Sequence, residues 1–325
     1  MGRRSVFFLN YWVPILILLA SIVPLVAQMD GPNSGALPVS SPGRTPERTP
    51  AYKSSANVVL VNVTVLDGRE RVMTGLRAED FSISDDKMPQ RVKYFSSEDS
   101  PISLTILLDA SGSMAAHMDA VQRAAIDFFR ASNPMDELTV ITFSDKPRVL
   151  IDRDEAGNEI EEALATLNPS GRTGLLDALH FTLNRMQRSR YSRKAVLLMS
   201  DGGDNQSRIT ESSIRSLLQE SDTLVYAIDF FDPFPRTMEE RKGPRMLDDL
   251  TSLSGGRLFM VRDNQELNQA IAETSEELRN QYVLGYVLDK SAQDGRWHHL
   301  KVKVNEGRAS NLRSYARKGY YAPTP

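Results

Sequence analysis

In the stretch LTILLDASGSMAAHMDA, residues 104–120, an apolar run ends in Asp109, Ser111, Gly112 and Ser113. Residues two apart in extended backbone point the same way, and Gly112 lets the chain curl, so three oxygens can be presented to one point. Two later loops offer more oxygen donors. Thr173 lies between glycines in NPSGRTGLLDAL, just before a helical pattern, and Asp201 ends the apolar run AVLLMSD ahead of Gly202 and Gly203. Taken singly, each residue has a simpler use. Ser111 and Ser113 can cap a helix starting near Met114, Thr173 can cap one at Leu175, and Asp201 can serve a turn. Nucleophilic catalysis is poorly supplied: no Gly-x-Ser-x-Gly elbow occurs, and the 4 histidines include no evident base for either serine.

The elements that position these residues read as strands alternating with helices from Pro101 onward. Strands are expected at 103–109, 138–144, 148–151, 194–200, 223–229 and 257–261, and their near-continuous apolar runs suit burial on both faces. Met114, Met118, Val121, Ala125 and Phe128 fall on one helical stripe; Leu175, Leu179, Leu183 and Met186 fall on another. The expected fold class is α/β: a doubly wound, Rossmann-like, mostly parallel six-stranded sheet with helices on both faces. In such a sheet ligands bind outside the carboxyl ends of the strands, where Asp109, Thr173 and Asp201 would all lie. The segment 230–246, FFDPFPRTMEERKGPRM, is read as a solvated surface loop near that edge.

Both flanks have β character. Before the α/β region, Val59, Val61, Val63 and Val65 alternate with other residues up to an Asp67-Gly68 turn, and strands are expected around 81–84 and 90–95. After it, Leu300, Val302 and Val304 alternate with Lys301, Lys303 and Asn305. Neither flank alone has strands enough for a stable core, so the two (56–97 and 281–325) are expected to pair into one small sandwich. The basic residues of 296–318 then belong to the open face of a strand.

With three loops in view, the pattern resembles the von Willebrand factor type A domain and its metal-ion-dependent adhesion site. That signature is Asp-x-Ser-x-Ser after the first strand, a Thr in a second loop and an Asp in a third. Asp109, Ser111, Ser113, Thr173 and Asp201 match it in order. The resemblance covers residues 100–280. It implies a bound divalent cation, Mg²⁺ ahead of Mn²⁺ or Ca²⁺, with the hydroxyls as direct ligands and the carboxylates often acting through water. A small hard cation of this kind wants an octahedron of oxygens and keeps some waters. Two carboxylates balance its two charges, so it can still attract an anion; in the family a partner protein's Asp or Glu carboxylate takes that place. Asp177 and Asp204, close by, are read as helix and turn residues. The flanking phrases, among them QYVLGYVLD and ARKGYYAP, resemble those of bacterial exported proteins related to type A domains.

The N-terminus carries Arg3 and Arg4, then a long apolar run ending at Ala27: a secretory signal peptide cleaved there, or an uncleaved membrane tether. Either places the rest outside the cytoplasm. Residues 28–55, rich in Pro, Gly and Ser, read as a flexible linker. The net charge of -3 gives no footprint for nucleic acid, and the absence of cysteine removes disulfides and thiolate chemistry. The expected function is therefore an exported, monomeric, metal-dependent protein-binding module and no enzyme. The alternative is an envelope scaffold in which the metal only ties loops together.

Overall fold

The apolar runs form the centre of a six-stranded sheet in a computed structural model that describes residues 58–154, 160–230, 237–305 and 311–324. The expected signal or tether segment and the linker lie outside the described residues. Among the described residues, no helix is long and apolar enough to cross a membrane. In chain order the elements are β1 (Val58–Leu66), β2 (Phe81–Asp85), β3 (Met88–Gln90), β4 (Tyr94–Ser96), β5 (Ser103–Asp109), α1 (Met118–Arg130), β6 (Glu137–Phe143), β7 (Pro147–Asp154) and α2 (Ile160–Ala165). There follow α3 (Leu175–Met186), β8 (Lys194–Ser200), α4 (Glu211–Glu220), β9 (Thr223–Phe230), α5 (Met238–Ser254), β10 (Leu258–Val261), α6 (Asn264–Arg279), β11 (Tyr282–Val287), β12 (Trp297–Val304), β13 (Arg313–Tyr315) and β14 (Gly319–Tyr321).

The large sheet has the order β10-β9-β8-β5-β6-β7, parallel throughout except for β7 at one edge. From β5 the chain first moves to β6 on one side and later returns to β8 on the other. Strand order therefore reverses at β5, which opens a crevice at its carboxyl end. Alternate residues of each strand serve opposite faces. Leu108, Met199 and Ile228 pack under Met114, Val121 and Phe128 and against Leu267 and Leu278. Leu107, Leu198 and Ala227 pack under Leu175, Leu179 and Leu183, with Ile214 and Leu247 beside them. The fold is the expected doubly wound α/β sheet with helices on both faces.

Three local expectations are corrected. The strand expected over 90–95 is two short ones, β3 and β4, and β3 closes a hairpin with β2 through Asp86 and Lys87, both at positive φ. That is the backbone of a tight primed turn, which twists with the strands. The helix expected from Met114 begins as a 3-10 turn over Gly112–Ala116, and α1 proper starts at Met118. The surface loop expected over 230–246 is helical from Met238, opened by a capping box between Thr237 and Glu240. Gly243 and Pro244 read as a break, and an internal Pro costs about 3 kcal/mol. Burial of Leu247 and Leu250 on the sheet, at roughly 1.5–3 kcal/mol each, outweighs it.

The flanks meet. One four-stranded sheet has the order β13-β1-β11-β4 and the other β14-β12-β2-β3, so each draws strands from both ends of the chain. Val61 and Val63 of β1 and Tyr282, Leu284 and Tyr286 of β11 face Phe81, Ile83, Leu300 and Tyr320 across one core. Lys301 and Lys303 stand on the exposed face of β12. Arg257, at the head of β10, joins this sandwich to the α/β part: it pairs with Glu70 at 2.9 Å, with buried Glu277 of α6, and lies over the Tyr315 ring. Burial drives the Glu277 carboxyl up to about 7 against the pull of Arg257.

Within the sandwich, buried Asp85 accepts from the Tyr286 and Tyr320 hydroxyls, both at 2.8 Å, and its other oxygen lies 2.9 Å from His298 Nδ1. Burial alone would lower the His298 pKa. The hydrogen bond and charge of Asp85, with Asp294 and Asp86 adding to them, leave it raised.

Two outcomes test this frame. Arg257→Met strands Glu277 in the interior and should lower the unfolding free energy by about 3–5 kcal/mol, with part of the loss recovered by adding Glu277→Gln. Urea titration of the two variants reads this directly. His298 binds its proton more tightly folded than unfolded. Its contribution is thus complete below about pH 6.5 and is lost as the pH rises through its raised folded value. His298→Ala should cost roughly 1.5–3 kcal/mol at pH 5.5 and less at pH 8.5. An equal cost at both would show that the histidine is not held protonated.

Candidate metal centre

The five sequence-selected residues all lie at the carboxyl edge of β5 and β8 or in the loop before α3. Asp109 is the last residue of β5 and is fully buried. One of its oxygens accepts the Ser111 amide at 2.9 Å, and the other accepts the Ser200 hydroxyl, from the end of β8, at 2.6 Å. Ser111 and Ser113 hold their hydroxyl oxygens 3.1 Å apart. Ser111 occupies the N-cap position of the 3-10 turn, yet its side chain makes no capping bond. Helix capping therefore does not use this hydroxyl.

The three loops are stitched to one another through backbone. Gly112 donates to the Gly171 carbonyl at 3.1 Å, and Ser170 donates to the Ala110 carbonyl at 2.9 Å, tying the first loop to the second. The second is tied to the third reciprocally: the Thr173 amide donates to the Asn205 side chain, and the Asn205 amide donates to the Thr173 carbonyl, both at 3.0 Å. Gly171, at φ +85, turns the second loop over the Asp145 carboxylate, which accepts the Arg172 amide at 3.0 Å. A side chain at Gly171 would collide with Asp145 as well as strain the backbone. The N-cap of α3 is Gly174 and not Thr173, whose hydroxyl has no hydrogen-bond partner among the described residues.

Asp201 follows β8 and accepts the Gly203 amide at 3.2 Å. Its charge reaches Asp109: burial first, then repulsion from Asp201, pushes the Asp109 carboxyl up to about 7. The two nearby acids are consumed by structure. Asp204 accepts the Leu175 and Ser207 amides, and Asp177 accepts those of Arg208 and Ile209.

Sequence reasoning passed over Asp229, near the end of β9. It stands in register with Ser200 and has no solvent exposure, and neither carboxylate oxygen has a partner among the described residues. Burial, then Asp201, raises it to about 7 as well. The signal was present in the pattern: Asp229 is an acid inside an apolar run, flanked by Ile228 and Phe230.

This donor set is hard: carboxylates, hydroxyls and no nitrogen or sulfur. A small divalent cation that prefers oxygen and keeps part of its water suits it better than a soft ion. Among the described residues, the carboxylate oxygens of Asp109, Asp201 and Asp229 do not all approach within 4.8 Å of one another. Among the described residues, Asp85, Asp86 and His298 do converge that closely, but Asp85 is already bonded to the two tyrosines and the histidine.

Comparison with known proteins bears on the region that carries this edge. Distant likenesses among solved structures include a von Willebrand factor type A protein from Catenulispora acidiphila, at 14% identity over 82% of this chain and 74% of that one, TM-score 0.48. Another is the PilB minor pilin from Streptococcus sanguinis, at 15% identity, TM-score 0.44; 57% of this chain is covered, and it spans 63% of the pilin, less than two thirds. A third is proximal thread matrix protein 1 from the mussel byssus with a zinc-occupied MIDAS motif, at 17% identity over 60% and 49% of the two chains, TM-score 0.47. No curated protein sequence matches. The family model of the von Willebrand factor type A domain matches residues 104–203, from β5 to the Gly-Gly turn after Asp201. Over residues 104–203, then, the chain matches the von Willebrand factor type A domain.

Proposed function

We propose that this chain is an exported protein-binding module that holds a divalent cation, Mg²⁺ by preference, at Asp109, Ser111, Ser113, Thr173 and Asp201. The cation bridges to an Asp or Glu carboxylate of a partner protein. The observation that carries the reading is the set of hydroxyls on loops stitched together by backbone, left free of capping duty beside a buried, repelled carboxylate. Ser111, Ser113 and Thr173 supply neutral ligands. Asp109, oriented by Ser200, and Asp201 supply the two negative charges. A cation so compensated keeps its affinity for a further anion, which is the basis of the bridge. Export rests on the pattern of residues 1–27 alone.

Catalysis is not part of the proposal. The hydroxyls of Ser111 and Ser113 have each other for partners and no histidine, and the His117 ring packs on Phe230 at 4.9 Å between centroids. A serine nucleophile needs a base within hydrogen-bond reach. The alternative of a scaffold whose metal only ties loops together makes a different demand on experiment.

Mg²⁺ should raise the melting temperature of the full chain, and EDTA should reverse the rise. Asp109→Ala and Thr173→Ala should each weaken Mg²⁺ binding at least about tenfold while the circular dichroism spectrum stays that of the folded protein. A pull-down from envelope fractions should recover a partner with Mg²⁺ and lose it with EDTA or Asp109→Ala. A partner retained equally under all three conditions would end the bridge reading. Mg²⁺ stabilisation without any metal-dependent partner would favour the scaffold.

A further inference from the structure

Asp109, Ser200 and Asp229 stand side by side on three adjacent strands, β5, β8 and β9, with side chains toward the same face of the sheet. Ser200 is fully engaged on one side: its hydroxyl donates to Asp109 and accepts the Gly202 amide at 3.1 Å. Asp229, on the other side, receives nothing from it. The neighbours of Asp229 along β9, Ala227, Ile228 and Phe230, are buried apolar residues. Gly202, at φ +74, passes so close that a side chain there would stand 3.2 Å from Asp229 Oδ1, and Gly243 of α5 closes the same corner. The charge that acts on Asp229 is that of Asp201, and it repels.

A carboxylate with neither oxygen bonded, shut inside a domain, is strongly disfavoured in its charged form unless a counter-charge answers it. No Lys or Arg does so among the described residues. The counter-charge available at this edge is the cation of the neighbouring site. Resting on the reading of that site, we propose that Asp229 is a third carboxylate of the cation centre, outside its direct ligand set. It acts across an intervening oxygen to tighten cation retention. Asp109, Asp201 and Asp229 do not form a group whose oxygens all lie within 4.8 Å of one another, so the role assigned to Asp229 is charge and not membership of a tight carboxylate cage. With three negative charges facing two positive ones, the loaded site keeps its ion at the expense of some attraction for a partner's anion.

The test is Mg²⁺ titration by calorimetry, with thermal unfolding, on the full chain and on Asp229→Asn and Asp229→Ala, with Asp109→Ala as control. Asn preserves the volume and removes the charge. Both Asp229 variants should bind Mg²⁺ at least about tenfold more weakly than the parent. Without metal they should melt higher than the parent, because the unanswered charge is gone; with saturating Mg²⁺ their gain in melting temperature should be smaller. A purely structural acid would leave the Mg²⁺ affinity unchanged, and that result overturns the assignment while leaving the five-residue site intact. A parent chain that binds no Mg²⁺ overturns both. Failure of the Ala variant to fold leaves the Asn variant to decide.

Discussion

Negative charge has been set at the end of a sheet whose two faces are sealed by helices. Like charges in low dielectric repel more strongly than at a surface, and each also loses hydration. Asp109, Asp229 and, more openly, Asp201 share that predicament within one crevice. Hydrogen bonds from Ser200 and from the amide of Ser111 relieve Asp109 only in part, since both its oxygens are bonded and its proton affinity is still raised. The local departures from regular structure follow: the tight 3-10 turn after β5, the left-handed glycines 171 and 202, and the close passage of α5 against Gly202 all bring main chain to an edge where apolar side chains could not serve.

The stitching explains how flexible residue types can hold a defined geometry. Ser, Thr and Gly side chains have little bulk with which to lock one another. The register is imposed instead by the strands beneath and by backbone bonds between neighbouring loops, such as the reciprocal pair of Thr173 and Asn205. Such a site owes its shape to the scaffold and its charge to the acids, so the two can be perturbed separately. A change at Asn205 would disturb position, and one at Asp201 would disturb charge.

Much of this was legible in the sequence because it rests on short-range rules. Period and apolar run length marked β5, β8 and β9, and the helical stripes of α1 and α3 are buried as their spacing requires. The Asp-x-Ser-x-Ser phrase announced its loop. What escaped depends on long-range packing. The Gly243-Pro244 pair argues against a helix by local propensity, and only contact with Gly202 and the sheet overrules it. Asp229 looked like the tail of a strand until its lack of partners in three dimensions set it apart. Asp85 and His298 are far apart in sequence and become neighbours only because β2 pairs with β12.

That pairing has a kinetic consequence. The α/β part draws mainly on contacts within residues 103–279, whereas β1 must await β11 and β2 must await β12, each more than two hundred residues later in the chain. Loops of that length close slowly unless something shortens them. The inserted part does so: β4 leads into it, β11 leads out of it, and the two are hydrogen-bonded neighbours, so its folding delivers the ends of the sandwich to each other. During synthesis β1, β2 and β4 therefore wait with unpaired edges until β11 to β13 emerge, and a chain truncated after α6 would expose those edges to other chains.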